Sequence, residues 1–198
     1  MKSVIITGAN RGIGLDTSLA FGRAGYKVFA TMRHPETAND LKHKIEKESL
    51  PISILKMDVN SDESVMQAMN TIKEDHGVVD VLVNNAGIER HGTIEDLDLS
   101  EFKDVMETNY FGVIRCIKSV FPDMRKRQSG CIINVASVAG HIANTPLAPY
   151  AASKFALEAL SEALAQESKP FHIKVRIIEP GIINTDMARD IGKRKIKM

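Results

Sequence analysis

The stretch Thr7-Gly8-Ala9-Asn10-Arg11-Gly12-Ile13-Gly14 decides how this chain is read. It follows an apolar run, Ser3–Thr7, and opens a segment, Ile13–Ala24, whose apolar residues recur at helical spacing. Glycine at a strand-to-helix turn permits positive φ and close approach of a pyrophosphate, while free amides at the helix N-terminus hold phosphate oxygens. Three spaced glycines alone could be an ordinary tight turn; their place after the first strand points to a dinucleotide. Gly8, Asn10, Arg11, Gly12, Ile13 and Gly14 are therefore candidate cofactor-binding residues.

The rest of the chain repeats that alternation. Further apolar runs lie at Lys27–Thr31, Ile52–Met57, Val81–Asn84, Cys131–Val135 and Lys174–Ile178. Segments of helical period lie between them, near Thr37–Glu48, Asp62–His76, Glu101–Arg127 and Tyr150–Ser168. The pattern predicts an α/β fold, a Rossmann-type doubly wound parallel sheet in the order 3-2-1-4-5-6. Ligands then belong at the carboxyl ends of the strands, where the order reverses between the first and fourth.

Length and composition fit one domain over residues 1–198, with 43% hydrophobic residues to build a core. Twenty-six basic against 25 acidic residues give no reason to expect nucleic acid or an anionic membrane as partner. Val4-Ile5-Ile6 is too short for a signal-peptide core or a membrane span, so a cytoplasmic location is expected. Cys116 and Cys131 read as buried thiols, and with no histidine at metal-ligand spacing no metal is expected. The basic segment from Arg189 to Met198 reads as a solvated terminus.

Cofactor choice is argued from the end of the second strand, where an acidic residue ordinarily takes the ribose hydroxyls of NAD. Here the strand ends Ala30-Thr31-Met32-Arg33, without an acid. Arg33, with Arg11 in the glycine turn, can flank a ribose 2′-phosphate, so NADP(H) is preferred and NAD(H) is possible. Asp58 after the third strand can accept from an adenine amino group, followed by Val59. Asn84-Asn85-Ala86-Gly87 after the fourth combines side chains that can tie strand ends together with small residues that let the backbone pass beneath a sugar.

Ser137 follows the fifth strand, and Tyr150 opens the next helix with Lys154 on the same face one turn later. Tyrosine is a poor base near neutrality unless a positive charge stabilises its phenolate, which Lys154 can supply. Taken together, TGANRGIG, NNAG, Asn109, Ser137 and Tyr150-Ala-Ala-Ser-Lys154 resemble the compact branch of the short-chain dehydrogenase/reductase family, from Lys2 to about Thr185. The resemblance implies Tyr150 as general acid/base, Ser137 as donor to the substrate oxygen, and Lys154 on the nicotinamide ribose. It implies that Asn109 shapes its helix and holds a water in a proton relay. It adds Pro180, Gly181, Ile183 and Thr185 at the nicotinamide end, and a homodimer or homotetramer formed through the long helices.

Family members usually run on through another helix and a seventh strand, which this chain is expected to lack at its C-terminus. The remaining pocket is expected to include Ile88, Val138, His141, Ile142 and Leu147, suiting a hydrophobic carbonyl or alcohol as small-molecule substrate. His141, Glu89 and His91 read as surface or packing residues rather than acid/base groups. The readings left open beside the oxidoreductase are a cofactor-binding scaffold without turnover and an epimerase or dehydratase of the same superfamily.

Overall fold

The computed structural model describes residues 1–181 and residue 183. Among these residues, six strands form one parallel sheet: β1 (Ser3–Thr7), β2 (Lys27–Met32), β3 (Ile52–Lys56), β4 (Val81–Asn84), β5 (Gly130–Val135) and β6 (Ile173–Ile178). Their order is β3-β2-β1-β4-β5-β6, as the alternation predicts. The helices between them are α1 (Gly12–Arg23), α2 (Asn39–Glu48), α3 (Asp62–His76), α4 (Leu99–Met106), α5 (Gly112–Arg127) and α6 (Ala148–Ser168). The expected absence of a seventh strand concerns residues outside the described ones.

Successive strand side chains point to opposite faces, and both faces are covered. Ile5, Phe29, Leu82 and Ile132 face one core, built with Ile72 of α3, Val120 and Met124 of α5 and Leu157 of α6. Val4, Ile6, Val28, Ala30 and Val83 face the other, with Leu15 and Leu19 of α1 and Leu41 of α2. This explains why the inner strands read as continuous apolar runs rather than as alternating ones. Cys116 lies in the first of these cores, where burial pushes its thiol up to about 12, as expected of an inert structural cysteine. Among the described residues, no helix is long and apolar enough to cross a membrane.

One predicted helix differs. The segment read as a single helix over Glu101–Arg127 is interrupted by a wider turn of π geometry at Glu107–Phe111, between α4 and α5. Such turns expand a helix locally and free backbone groups from the regular ladder. This one carries Asn109, whose amide side chain is buried inside the fold.

Candidate active site

The glycine turn is fixed by its neighbours. The Ala9 N–H donates to the Thr31 carbonyl at 3.0 Å, which holds the turn to β2. The Thr7 hydroxyl accepts from the Asn85 and Ala86 N–H groups, each at 2.9 Å, and Asn85 Nδ2 donates to the Thr7 and Gly8 carbonyls at 2.9 and 3.1 Å. The ends of β1 and β4 are thereby locked at the point where the sheet order reverses. Gly8 has φ +66°, and a Cβ there would lie 2.8 Å from Ala86 Cα. A Cβ at Gly14 would lie 2.4 Å from the Gly8 carbonyl oxygen and 2.5 Å from Asn85 Nδ2. Gly14, predicted as a cofactor contact, lies outside the cleft lining; its small size instead lets α1 close onto the turn.

A cleft of about 600 Å³ runs along the carboxyl edge of the sheet. Gly8, Asn10, Arg11, Gly12 and Ile13 line it from the turn, Arg33 from the end of β2, and Asp58 and Val59 from the end of β3. Asn85, Ala86 and Gly87 form its floor after β4, and Pro180, Gly181 and Ile183 close it after β6. Ser137, Tyr150 and Lys154 also line it, so residues more than 120 positions from the glycine turn share one space with it. Thr185 lies outside the described residues. A second cleft, of about 550 Å³, lies between α3 and α5 and shares no lining residue with this one.

Sequence reasoning missed Met32, Met57, Asn60, Thr108 and Asn144 in the lining. The first three sit at or just past strand ends, a position that could have marked them. The Asn60 N–H donates to Asp58 Oδ1 at 3.0 Å and its Nδ2 to the Thr108 hydroxyl at 3.0 Å, while its Oδ1 is buried without a hydrogen-bond partner. Thr108 gave no signal, because it is placed by the π turn.

Behind the floor, a buried polar chain joins three elements: Asn84 Nδ2 donates to Asn134 Oδ1 at 2.8 Å, and Asn134 Nδ2 donates to the Ser161 hydroxyl at 2.8 Å. Asn109 performs a similar task. Its Nδ2 donates to the Ile88 carbonyl and the Ser153 hydroxyl, each at 2.9 Å, and its Oδ1 accepts from the Ile88 N–H at 2.9 Å. Ser153 in turn donates to the Tyr150 carbonyl at 2.7 Å. Asn109 does not line the cleft; it ties the strand-β4 loop to the turn of α6 that carries Tyr150.

Ser137 lines the cleft together with the Tyr150 phenol. Burial pushes that phenol above the usual tyrosine range, against the opposing pull of the neighbouring Ser137 hydroxyl and with the help of the nearby Glu89 carboxylate. Lys154 is buried, and burial pushes its amine down to about 8 against the pull of Glu158. Its Nζ donates to the Val135 carbonyl at 2.8 Å and lies 5.5 Å from the centroid of the Tyr150 ring. The sequence expects Lys154 to lower the phenol, whereas here burial is the largest influence and the shift is upward. Near neutrality Tyr150 therefore keeps its proton and stands as a donor.

The apolar end of the cleft contains Ile88, Val138, Ile142 and Leu147 as predicted, without His141. His141 Nε2 instead lies 3.2 Å from Glu179 Oε1, and hydrogen bonding to that carboxylate raises the imidazole above its usual range. Glu89 and His91, predicted as surface or packing residues, are both 12% exposed with 2.9 Å between Oε1 and Nε2. Both atoms nevertheless lack a well-angled hydrogen bond, so the contact is better described as an ion-pair distance than as a hydrogen bond. Glu89 also lines the cleft.

Residues 2–196 match the family model described as short chain dehydrogenase. A 3-ketodihydrosphingosine reductase of Bacteroides thetaiotaomicron is 41% identical over 92% of this chain and 64% of its own length. Retinol dehydrogenase 8 of Bos taurus is 39% identical over 93% of this chain and 60% of its own. The chain thus spans less than two thirds of either relative. Among solved structures, a gluconate 5-dehydrogenase from Burkholderia cenocepacia in complex with NADP and tartrate superposes with a TM-score of 0.90 and 29% identity. That similarity covers 98% of this chain and 76% of the other.

Proposed function

The chain belongs to the short-chain dehydrogenase/reductase family, and from that premise we propose that it is an NADP(H)-dependent oxidoreductase interconverting a carbonyl and an alcohol on a hydrophobic small molecule. One observation carries the reading: Ser137, Tyr150 and Lys154 line the same cleft as the glycine turn, Arg11 and Arg33. A dinucleotide is supported by the cleft of about 600 Å³ onto which the glycine turn opens at the carboxyl edge of the sheet.

When bound, the nicotinamide supplies or accepts the hydride. In the reducing direction negative charge builds on the carbonyl oxygen, where the Ser137 hydroxyl donates a hydrogen bond and Tyr150 delivers its proton. In the oxidising direction Tyr150 takes that proton back. Lys154 holds a positive charge beneath the phenol ring and lines the cleft, where it can donate to a sugar hydroxyl. Ile88, Val138, Ile142 and Leu147 select an apolar group next to the reacting carbon. The same reading makes the chain one cofactor-binding domain of a cytoplasmic homodimer or homotetramer.

Selectivity for the phosphorylated cofactor rests on Met32-Arg33 standing where an acid would favour NAD, with Arg11 facing the same cleft. A charge-assisted hydrogen bond contributes about 1.5–3 kcal/mol. Arg33→Ala is accordingly expected to weaken NADPH binding by about 10-fold or more and NADH by less than about twofold. Paired fluorescence titrations with the two nucleotides measure this, and equal losses for both would remove the selectivity argument. Turnover of apolar ketones with NADPH tests the activity itself. Tight binding without turnover on any carbonyl or alcohol would favour a cofactor-binding scaffold instead.

A further inference from the structure

We propose that His141, Glu158 and Glu179 form a site for one divalent transition-metal ion of the zinc, cobalt or manganese class, outside the lining of the cofactor cleft. The three residues are far apart in sequence and come from three elements. His141 follows the short turn Val138–Gly140, Glu158 lies on α6 one turn beyond Lys154, and Glu179 directly follows β6. One ligand atom from each lies within 4.8 Å of the other two.

Glu158 is what distinguishes this cluster from a chance group of surface charges. It is only 7% exposed, and its Oε1 is buried with no hydrogen-bond partner among the described residues. A buried carboxylate without a partner is costly, and it is relieved by a proton, a cationic side chain or a metal ion. Lys154, four residues earlier, is the nearest basic candidate on α6, but its ammonium donates to the Val135 carbonyl instead. The turn is also pressed against the carboxylate, since a Cβ at Gly140 would lie 3.0 Å from Glu158 Cγ and 3.3 Å from its Oε1.

The donor set, one imidazole and two carboxylates, suits a borderline or hard divalent ion rather than a thiol-preferring one. Metal–ligand bonds of about 2.0–2.2 Å place tetrahedral donors about 3.5 Å apart, so side-chain rotations of about 1 Å would complete the site. His141 and Glu179 are exposed enough to make them, and the remaining positions fall to water. The backbone beneath is already held together, with Ala136 N–H donating to the Ile178 carbonyl at 2.8 Å and Val138 N–H to the Pro180 carbonyl at 3.2 Å. An ion there joins the Ser137 loop, α6 and the end of β6.

Untagged protein stripped with a chelator and dialysed against Zn²⁺ is expected to take up one ion per chain, and Co²⁺ is expected to give a visible ligand-field band that Zn²⁺ abolishes. His141→Ala and Glu179→Gln should each weaken uptake by at least about tenfold. Both positions are exposed and the variants should fold; Glu158→Gln should do the same, with its folding checked by circular dichroism. His34→Ala, which removes an exposed imidazole paired with Glu36, should leave uptake unchanged. The site is refuted if the wild type takes up no stoichiometric ion, or if the His141 and Glu179 variants bind Zn²⁺ as the wild type does. Dialysis needs neither nucleotide nor substrate, so failure here leaves the oxidoreductase reading untouched.

Discussion

Tyr150→Phe is expected to lower NADPH-dependent turnover by about 100- to 10,000-fold while changing the NADPH dissociation constant by less than about twofold. The two effects separate because the substitution removes only the phenolic O–H. The ring stays on α6, so its packing and the 5.5 Å approach of Lys154 Nζ are retained. What is lost is the proton that must reach the carbonyl oxygen. A neutral hydrogen bond contributes about 1 kcal/mol to stability, so the variant should fold and melt close to the wild type. Single-turnover kinetics beside a nucleotide titration measure both quantities. Near-wild-type turnover would overturn Tyr150 as the acid/base; a matching loss of nucleotide affinity would make it a binding residue instead.

How this site could be read from sequence depends on which interactions are local. The glycine turn was legible because its requirement is local: only a small residue fits where Gly8 meets Ala86 and where Gly14 meets the Gly8 carbonyl. The strand order followed from alternation and handedness, and with it the gathering of Asp58, Asn85 and Pro180 at one edge. The placement of Asn109 was legible only in part. Apolar spacing persists through its helix and so predicts a continuous one, whereas a buried amide with three fixed bonds is met by a wider turn. Lys154 shows the same limit. Spacing put it on the face of Tyr150, but the direction of its ammonium is set by the Val135 carbonyl, 19 residues away. Glu89, His141 and Glu179 likewise acquire their environments from strands and loops that meet only in the folded chain.

Lys154→Met is expected to abolish nearly all turnover, by about 100-fold or more, while leaving the melting temperature at pH 7 equal to or higher than that of the wild type. Burial pushes the Lys154 amine down to about 8 from 10.5, so between those values the unfolded chain holds this proton more tightly than the folded one. Charging Lys154 therefore opposes folding in full below about pH 8, and the opposition fades as pH rises from 8 towards 10.5. The net displacement, with the attraction of Glu158 already included, corresponds to on the order of 3 kcal/mol. Methionine fills similar space without a charge, so the difference in melting temperature between variant and wild type should be most favourable to the variant at pH 7 and shrink by pH 10. Melts at the two pH values measure that difference directly. A variant that is less stable at pH 7 and recovers relative to the wild type at pH 10 would reverse the predicted sign, and would mean that the charged ammonium, through Val135 and Glu158, stabilises the fold. The predicted combination, a fold no worse without its lysine and a reaction that fails without it, is what distinguishes a residue kept for its positive charge in the cleft from one kept for packing.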